Sequence, residues 1–109
     1  MTNYAKGRRA EWAVRDVLYH NGAKHVIRSA GSKSEADLVA AFPHRVYFLQ
    51  VKTYKPTKQE MVDCFEASID CAGIWVAVHW ESAKCCGAWA WKGGKPYKVL
   101  PPGLQEPTE

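Results

Sequence analysis

A chain of 109 residues has room for one hydrophobic core. At 47% hydrophobic and 24% charged it has the make-up of a single globular domain rather than of a disordered or fibrous chain. No apolar run approaches the roughly 20 residues that span a bilayer, and the polar, helix-like first residues do not read as a secretory signal. The expected location is therefore the cytoplasm, of a prokaryotic cell or of a virus-infected host cell, with no membrane partner. The net charge of +4 is unevenly spread: residues 1–58 carry 11 Lys/Arg against 4 Asp/Glu, and residues 59–109 carry 4 against 7. A basic half suits a polyanionic partner such as nucleic acid, although a solvated basic face would explain the same numbers.

In chain order, the spacing predicts a first helix from Tyr4 to Asn21, capped by Asn3 and ended by Gly22 in the left-handed conformation. Ala10, Val14, Val17 and Leu18 form its apolar stripe. Glu11 lies at the edge of that stripe, within ~60° of Val14 and Leu18. Its ordinary partner would be Arg15, four residues on. Residues 24–29 read as a short strand, followed by the polar loop A-G-S-K-S-E. Residues 36–52 read as a hairpin turning near Pro43-His44. A second helix begins after Thr57, where Glu60 completes a T-x-x-E capping box. Met61, Cys64, Phe65, Ser68 and Ala72 line one of its faces, and Gly73 closes it.

Residues 74–80 are almost continuously apolar, as a strand covered on both faces requires. Residues 87–91 and 97–100 flank a Gly93-Gly94 turn and read as a hairpin. The last residues hold too little apolar content to fold alone, so a mobile tail over 101–109 is expected after a single domain over 1–100. The order α-β-β-β-α-β-β-β predicts an α/β domain with a central mixed β-sheet flanked by a helix on each face.

Cys64, Cys71, Cys85 and Cys86 show no zinc-ligand spacing. Cys64 and Cys71 read as core thiols and Cys85-Cys86 as part of a turn, all four free in a reducing compartment. His20, His25, His44 and His79 likewise lack ligand spacing. Of the five tryptophans, Trp75, Trp80, Trp89 and Trp91 fall in the last strands. Core packing or an aromatic dimer interface would use them. Base stacking by Trp89 or Trp91 is the lesser expectation, because their sequence neighbours carry little positive charge.

The chemistry concentrates at Asp37, Gln50 and Lys52. Alternation along a strand places Gln50 and Lys52 on one face, and Asp37 on the neighbouring hairpin strand reaches the same place. Phosphodiester hydrolysis needs a nucleophilic hydroxide and neutralisation of charge on the transferring phosphate, and a bound Mg²⁺ supplies both. Mg²⁺ prefers hard oxygen ligands: Asp37, the Gln50 amide oxygen, the Val51 carbonyl and Glu11. Lys52 would position the water, stabilise the phosphate, or act as a base if its pKa fell. Taken alone, D-x(12)-Q-x-K is a weak pattern, and a core-edge Gln beside a solvated Lys explains it too. Lys6, Arg8, Arg9, Arg28, Lys33, Lys55 and Lys58 are candidate phosphate contacts.

Four segments together, K-G-R-R-A-E (6–11), R-S-A-G-S-K (28–33), A-D-L-V-A (36–40) and L-Q-V-K (49–52), resemble the archaeal-type Holliday junction resolvases. These are members of the PD-(D/E)XK, or restriction-endonuclease-like, nuclease superfamily. The resemblance covers roughly residues 6–55. It implies a restriction-endonuclease-like core and a homodimer that binds four-way DNA junctions. It further implies paired, symmetric nicks made with Mg²⁺, with Mn²⁺ as a substitute and no small-molecule cofactor. By resemblance Glu11 is the helix glutamate, Asp37 the metal-binding aspartate and Lys52 the catalytic lysine. Arg28 would contact DNA near the scissile phosphate, and Ser32 and Lys33 would meet its backbone.

The chain departs from the family pattern in three places. Gln50 stands where Glu is usual, Trp12 stands where an Arg often follows the helix glutamate, and one extra residue precedes Asp37. Gln50 removes a negative charge from the metal site. Glu35 would restore it if its loop turned inward, and Arg8 or Arg9 would replace the missing Arg. Two further readings stay open: a less selective nuclease of the same superfamily acting on branched or modified DNA, and a DNA-binding domain whose Gln50 has disabled catalysis.

Overall fold

The structure, a computed structural model, describes residues 3–28 and 36–107. It is an α/β domain whose elements follow the expected order: α1 (Asn3–His20), β1 (His25–Arg28), β2 (Leu38–Phe42), β3 (Arg45–Lys52), α2 (Lys58–Ile69), β4 (Ile74–Glu81), β5 (Lys84–Lys92) and β6 (Lys95–Tyr97). The six strands form one sheet in sequential order, β1-β2-β3-β4-β5-β6. All neighbours are antiparallel except β3 and β4, which run parallel. A parallel pair cannot be joined by a tight turn, and α2 supplies the crossover. No helix among the described residues is long and apolar enough to cross a membrane.

Alternation divides the core between the two faces. Ala10, Val14 and Leu18 of α1 pack with Leu38, Ala40, Tyr47, Leu49, Val76 and Val78 on one side. Cys64 of α2 packs with Ala36, Trp75 and Ala77 on the other, and Phe48, Trp89 and Trp91 flank them. Ile74 to Val78 are all buried, as two-sided coverage demands. Val14 and Leu18 are fully enclosed, and burial of such a side chain contributes about 1.5–3 kcal/mol. The Tyr19 hydroxyl accepts the Val26 N–H at 2.9 Å and ties the end of α1 to the edge strand β1. Gly22 ends the turn after α1 at φ 105°.

Four local expectations are corrected. First, α2 stops at Ile69 with Asp70 as its cap, so Ala72 lies outside the helix. Gly73 has another role: a Cβ there would run into the Phe48 ring, which packs against Trp75. Second, Cys85 and Cys86 belong to β5, and the β4–β5 turn is made by Ser82 and Ala83 at φ 56° and 60°. Two consecutive positive φ values make the tight hairpin connection that matches strand twist. Gly93-Gly94 make the same kind of turn between β5 and β6.

Third, β6 spans only Lys95–Tyr97, not 97–100. Fourth, the segment after residue 100 is anchored at two points: Pro101 and Leu104 are buried and Leu104 joins the core under α1, while residues 102–103 and 105–107 are exposed. The Leu104 N–H closes a turn on the Pro101 carbonyl at 3.1 Å. Its proline and glycine content hides two apolar anchors that only need a surface to land on.

Candidate functional site

The hairpin β2–β3 sets the site. Leu38 pairs with Leu49, and one step outward the Asp37 N–H donates to the Leu49 carbonyl at 2.8 Å. The Val51 N–H donates to Asp37 Oδ2, also at 2.8 Å. That bond pins the carboxylate at the strand end, beside Gln50 and Lys52. A carboxylate has lone pairs to spare after one such bond. Gln50 and Lys52 are both half-buried and share the face covered by α2.

Glu11 comes from the opposite face. Its Oε1 accepts the Arg28 Nε–H at 2.8 Å, with both side chains mostly enclosed. The expected Arg15 partner is instead turned to Asp16, in an exposed pair at 3.4 Å. Helical spacing allowed the Glu11–Arg15 pair, but the sheet end offered Glu11 a better enclosed cation. Burial raises the Glu11 pKa, the Arg28 hydrogen bond lowers it, and the negative charge of Asp37 raises it again, so the net shift is upward. Glu11 is thus ion-paired with Arg28 and also feels the charge of Asp37.

Lys52 is held on the other side. Its Nζ lies 3.1 Å from Glu60 Oε2. The same oxygen accepts the Tyr54 hydroxyl at 2.8 Å, and Oε1 accepts the Thr57 N–H at 2.9 Å. Burial alone would lift the Glu60 pKa, but the Thr57 backbone, the Tyr54 hydroxyl and the Lys52 ammonium together bring it down to about 2. Burial works against the charge on Lys52 as well. There the Glu60 hydrogen bond, with the negative charge of Glu60 and Asp37, outweighs it and raises the pKa. The pKa shift runs opposite to the fall that a general base would need.

Glu60 is the residue that the sequence hid. Its capping-box signature was legible, and both reciprocal bonds with Thr57 are present. Nothing local showed that its second oxygen would reach Lys52.

The other expected residues scatter around this end of the sheet. Lys6 and Arg9 line a cleft of about 380 Å³ on the α1 side, with Thr53 and Trp80. Lys55 and Lys58 line a larger one on the α2 side. Arg8 stacks over Trp12 at 4.9 Å and adds positive charge near Glu11. Ser32, Lys33 and Glu35 lie outside the described residues.

Among the described residues no three His, Cys, Asp or Glu side chains converge. A metal set here would consist of two carboxylates, Asp37 and Glu11, completed by neutral oxygens from Gln50 and the Val51 carbonyl. All are hard oxygen donors, the type Mg²⁺ selects.

All four cysteines are free. Burial pushes the Cys64 thiol up to about 12, which makes it an inert core group. Four of the five tryptophans touch the core: Trp75 stacks on Phe48 at 5.2 Å, Trp80 sits against the α1-side core, and one side of Trp89 and Trp91 sits against the α2-side core, while Trp12 is exposed. Compared with protein-family models and with curated proteins, the chain matches none of them.

Proposed function

We propose that the protein is a Mg²⁺-dependent endonuclease of the restriction-endonuclease-like type, resolving four-way DNA junctions by paired phosphodiester hydrolysis. The observation that carries this reading is the position of Asp37. It is pinned by the Val51 N–H, and its charge is felt both by Glu11 on one side and by Lys52 on the other. One acid shared between a second acid and a protonated lysine is what phosphodiester cleavage asks of a protein.

When bound, the metal would supply an activated water and charge neutralisation. Asp37 and Glu11 would hold it, with the Gln50 amide and the Val51 carbonyl as neutral donors. Lys52 offers a fixed positive charge to the phosphate. Lys6 and Arg9 on one side and Lys55 and Lys58 on the other offer backbone contacts that read no sequence. This suits a target defined by branch shape. Cutting two opposed strands requires two such sites, so the active form is a two-fold dimer.

A second reading, a DNA-binding domain without cleavage, draws on the shortage of acids: Gln50 stands in place of a carboxylate, and among the described residues no three His, Cys, Asp or Glu side chains converge. The test is cleavage of a synthetic mobile four-way junction in Mg²⁺ and in Mn²⁺. The wild type is run beside Asp37→Asn, with linear duplex as control. Paired symmetric nicks from the wild type alone support the resolvase. Nicking of branched and linear DNA alike points to a less selective nuclease. Binding without cutting by both proteins favours the second reading.

A further inference from the structure

A cleft of about 670 Å³ opens on the α2 side of the sheet. Lys55, Lys58 and Met61 line it together with His79 and Trp89. Strand register puts it next to Lys52: His79 is the β4 partner of Lys52, and Trp89 is the β5 partner of Ala77, one alternation along the same face. The sequence around Trp89 is poor in positive charge, but the crossover through α2 brings two lysines from a distant segment into the same cleft.

Two of the acids nearby are already engaged, while Glu106, which precedes Pro107 of the cleft wall, is exposed. Glu60 is held by Lys52, and Glu81 meets His79 at 3.0 Å. Lys55 and Lys58 make no ion pair among the described residues, and both are exposed. A half-buried indole beside two such cations is the combination that binds unpaired nucleic acid, with the base on the ring and the phosphates on the cations. Paired duplex cannot use it, because its bases are already stacked.

We propose that this cleft receives an unpaired nucleotide of the bound DNA, its base stacked on Trp89 and its phosphates met by Lys55 and Lys58. The proposal rests on the reading that DNA is the substrate. The arms of a four-way junction are fully paired, so the cleft would take a base that leaves its pair at the branch point when the protein binds.

The probe is a short fluorescent oligothymidylate, with blunt duplex of the same length as control. Binding is measured for the wild type, Trp89→Phe, Trp89→Ala and the double change Lys55→Ala/Lys58→Ala. Trp89→Ala is expected to weaken single-strand binding by about tenfold to a hundredfold and to leave duplex binding nearly unchanged. Trp89→Phe should retain most of the affinity. The lysine pair should weaken binding and flatten its salt dependence.

Should Trp89→Ala fail to fold, a 5-iodouracil oligonucleotide crosslinked to the wild-type protein gives the same answer. The adduct is expected on the peptide containing Trp89, and an adduct only elsewhere would overturn the proposal. Unchanged single-strand binding by folded Trp89→Ala, or no single-strand binding by the wild type, also overturns it, even where junctions are cut. Trp89-dependent binding by a wild type that cuts no junction leaves the subsite standing and removes the nuclease reading.

Discussion

Two glutamates flank the end of β3, and they live under opposite electrostatic conditions. Glu60 accepts from the Thr57 backbone, the Tyr54 hydroxyl and Lys52, and its pKa falls to about 2. Glu11 is more enclosed, has one strong partner in Arg28 and faces Asp37, and its pKa rises. Their distances to a cation are similar, 3.1 and 2.8 Å. The difference therefore lies first in how deeply each carboxylate is buried, then in how many donors surround it and what other charge it sees. Glu60 is satisfied and acts as an anchor. Glu11 is raised first by its burial and then by the charge of Asp37, against the pull of Arg28 and Arg8.

The sharpest way to break this contrast is Asp37→Asn. Removing the shared charge should reduce junction cleavage by about a thousandfold or more, roughly 4 kcal/mol of transition-state stabilisation. Junction binding should persist, as a gel-shift titration would show. Residual nicking near the wild-type rate would contradict the assignment of the acidic pair.

Glu60→Gln tests the other side. Glutamine still serves the capping box, so the helix should stay, but Lys52 loses its counter-charge. A fall of about tenfold in the cleavage rate with little change in junction affinity is expected. The upward support on the Lys52 pKa goes with it, so the alkaline limb of the pH–rate profile should move to lower pH.

Metal binding should also separate the two glutamates. A cation that binds only the folded protein stabilises it by about 2.7 kcal/mol at one hundred times its Kd. Mg²⁺ should raise the melting temperature of the wild type, chelator should reverse the rise, and Asp37→Asn should show none. Glu60→Gln should keep it.

A comparable effect falls on acid stability. The Glu60 pKa is depressed, so its contribution is complete above the ordinary glutamate value and is lost as pH falls from there toward 2. Discounted for solvent screening, this amounts to about 1–2 kcal/mol. Glu11 has the opposite sign: its raised pKa gives stability that is present in acid and lost as pH rises through the raised value. Denaturant melts over this range should show Glu60→Gln flattening the acid limb and Glu11→Gln steepening it.

What the sequence determined by itself is what short-range periodicity controls. The order of elements, the hairpin turning at Pro43-His44, the capping box at Thr57 and Glu60, and the common face of Gln50 and Lys52 all follow from spacings of a few residues. Backbone geometry enforces these whatever the rest of the chain does. The tertiary structure decided which distant groups meet. Glu11 joins Arg28 rather than Arg15 because α1 crosses the end of β1. The crossover through α2 carries Glu60 to Lys52 and brings Lys55 and Lys58 alongside Trp89. Leu104 returns to the core although its neighbours read as a tail. Such pairings depend on strand register and on the path of a crossover, which no local spacing encodes, so the candidate acids and lysine were legible one by one while the charge balance that sets their chemistry was not.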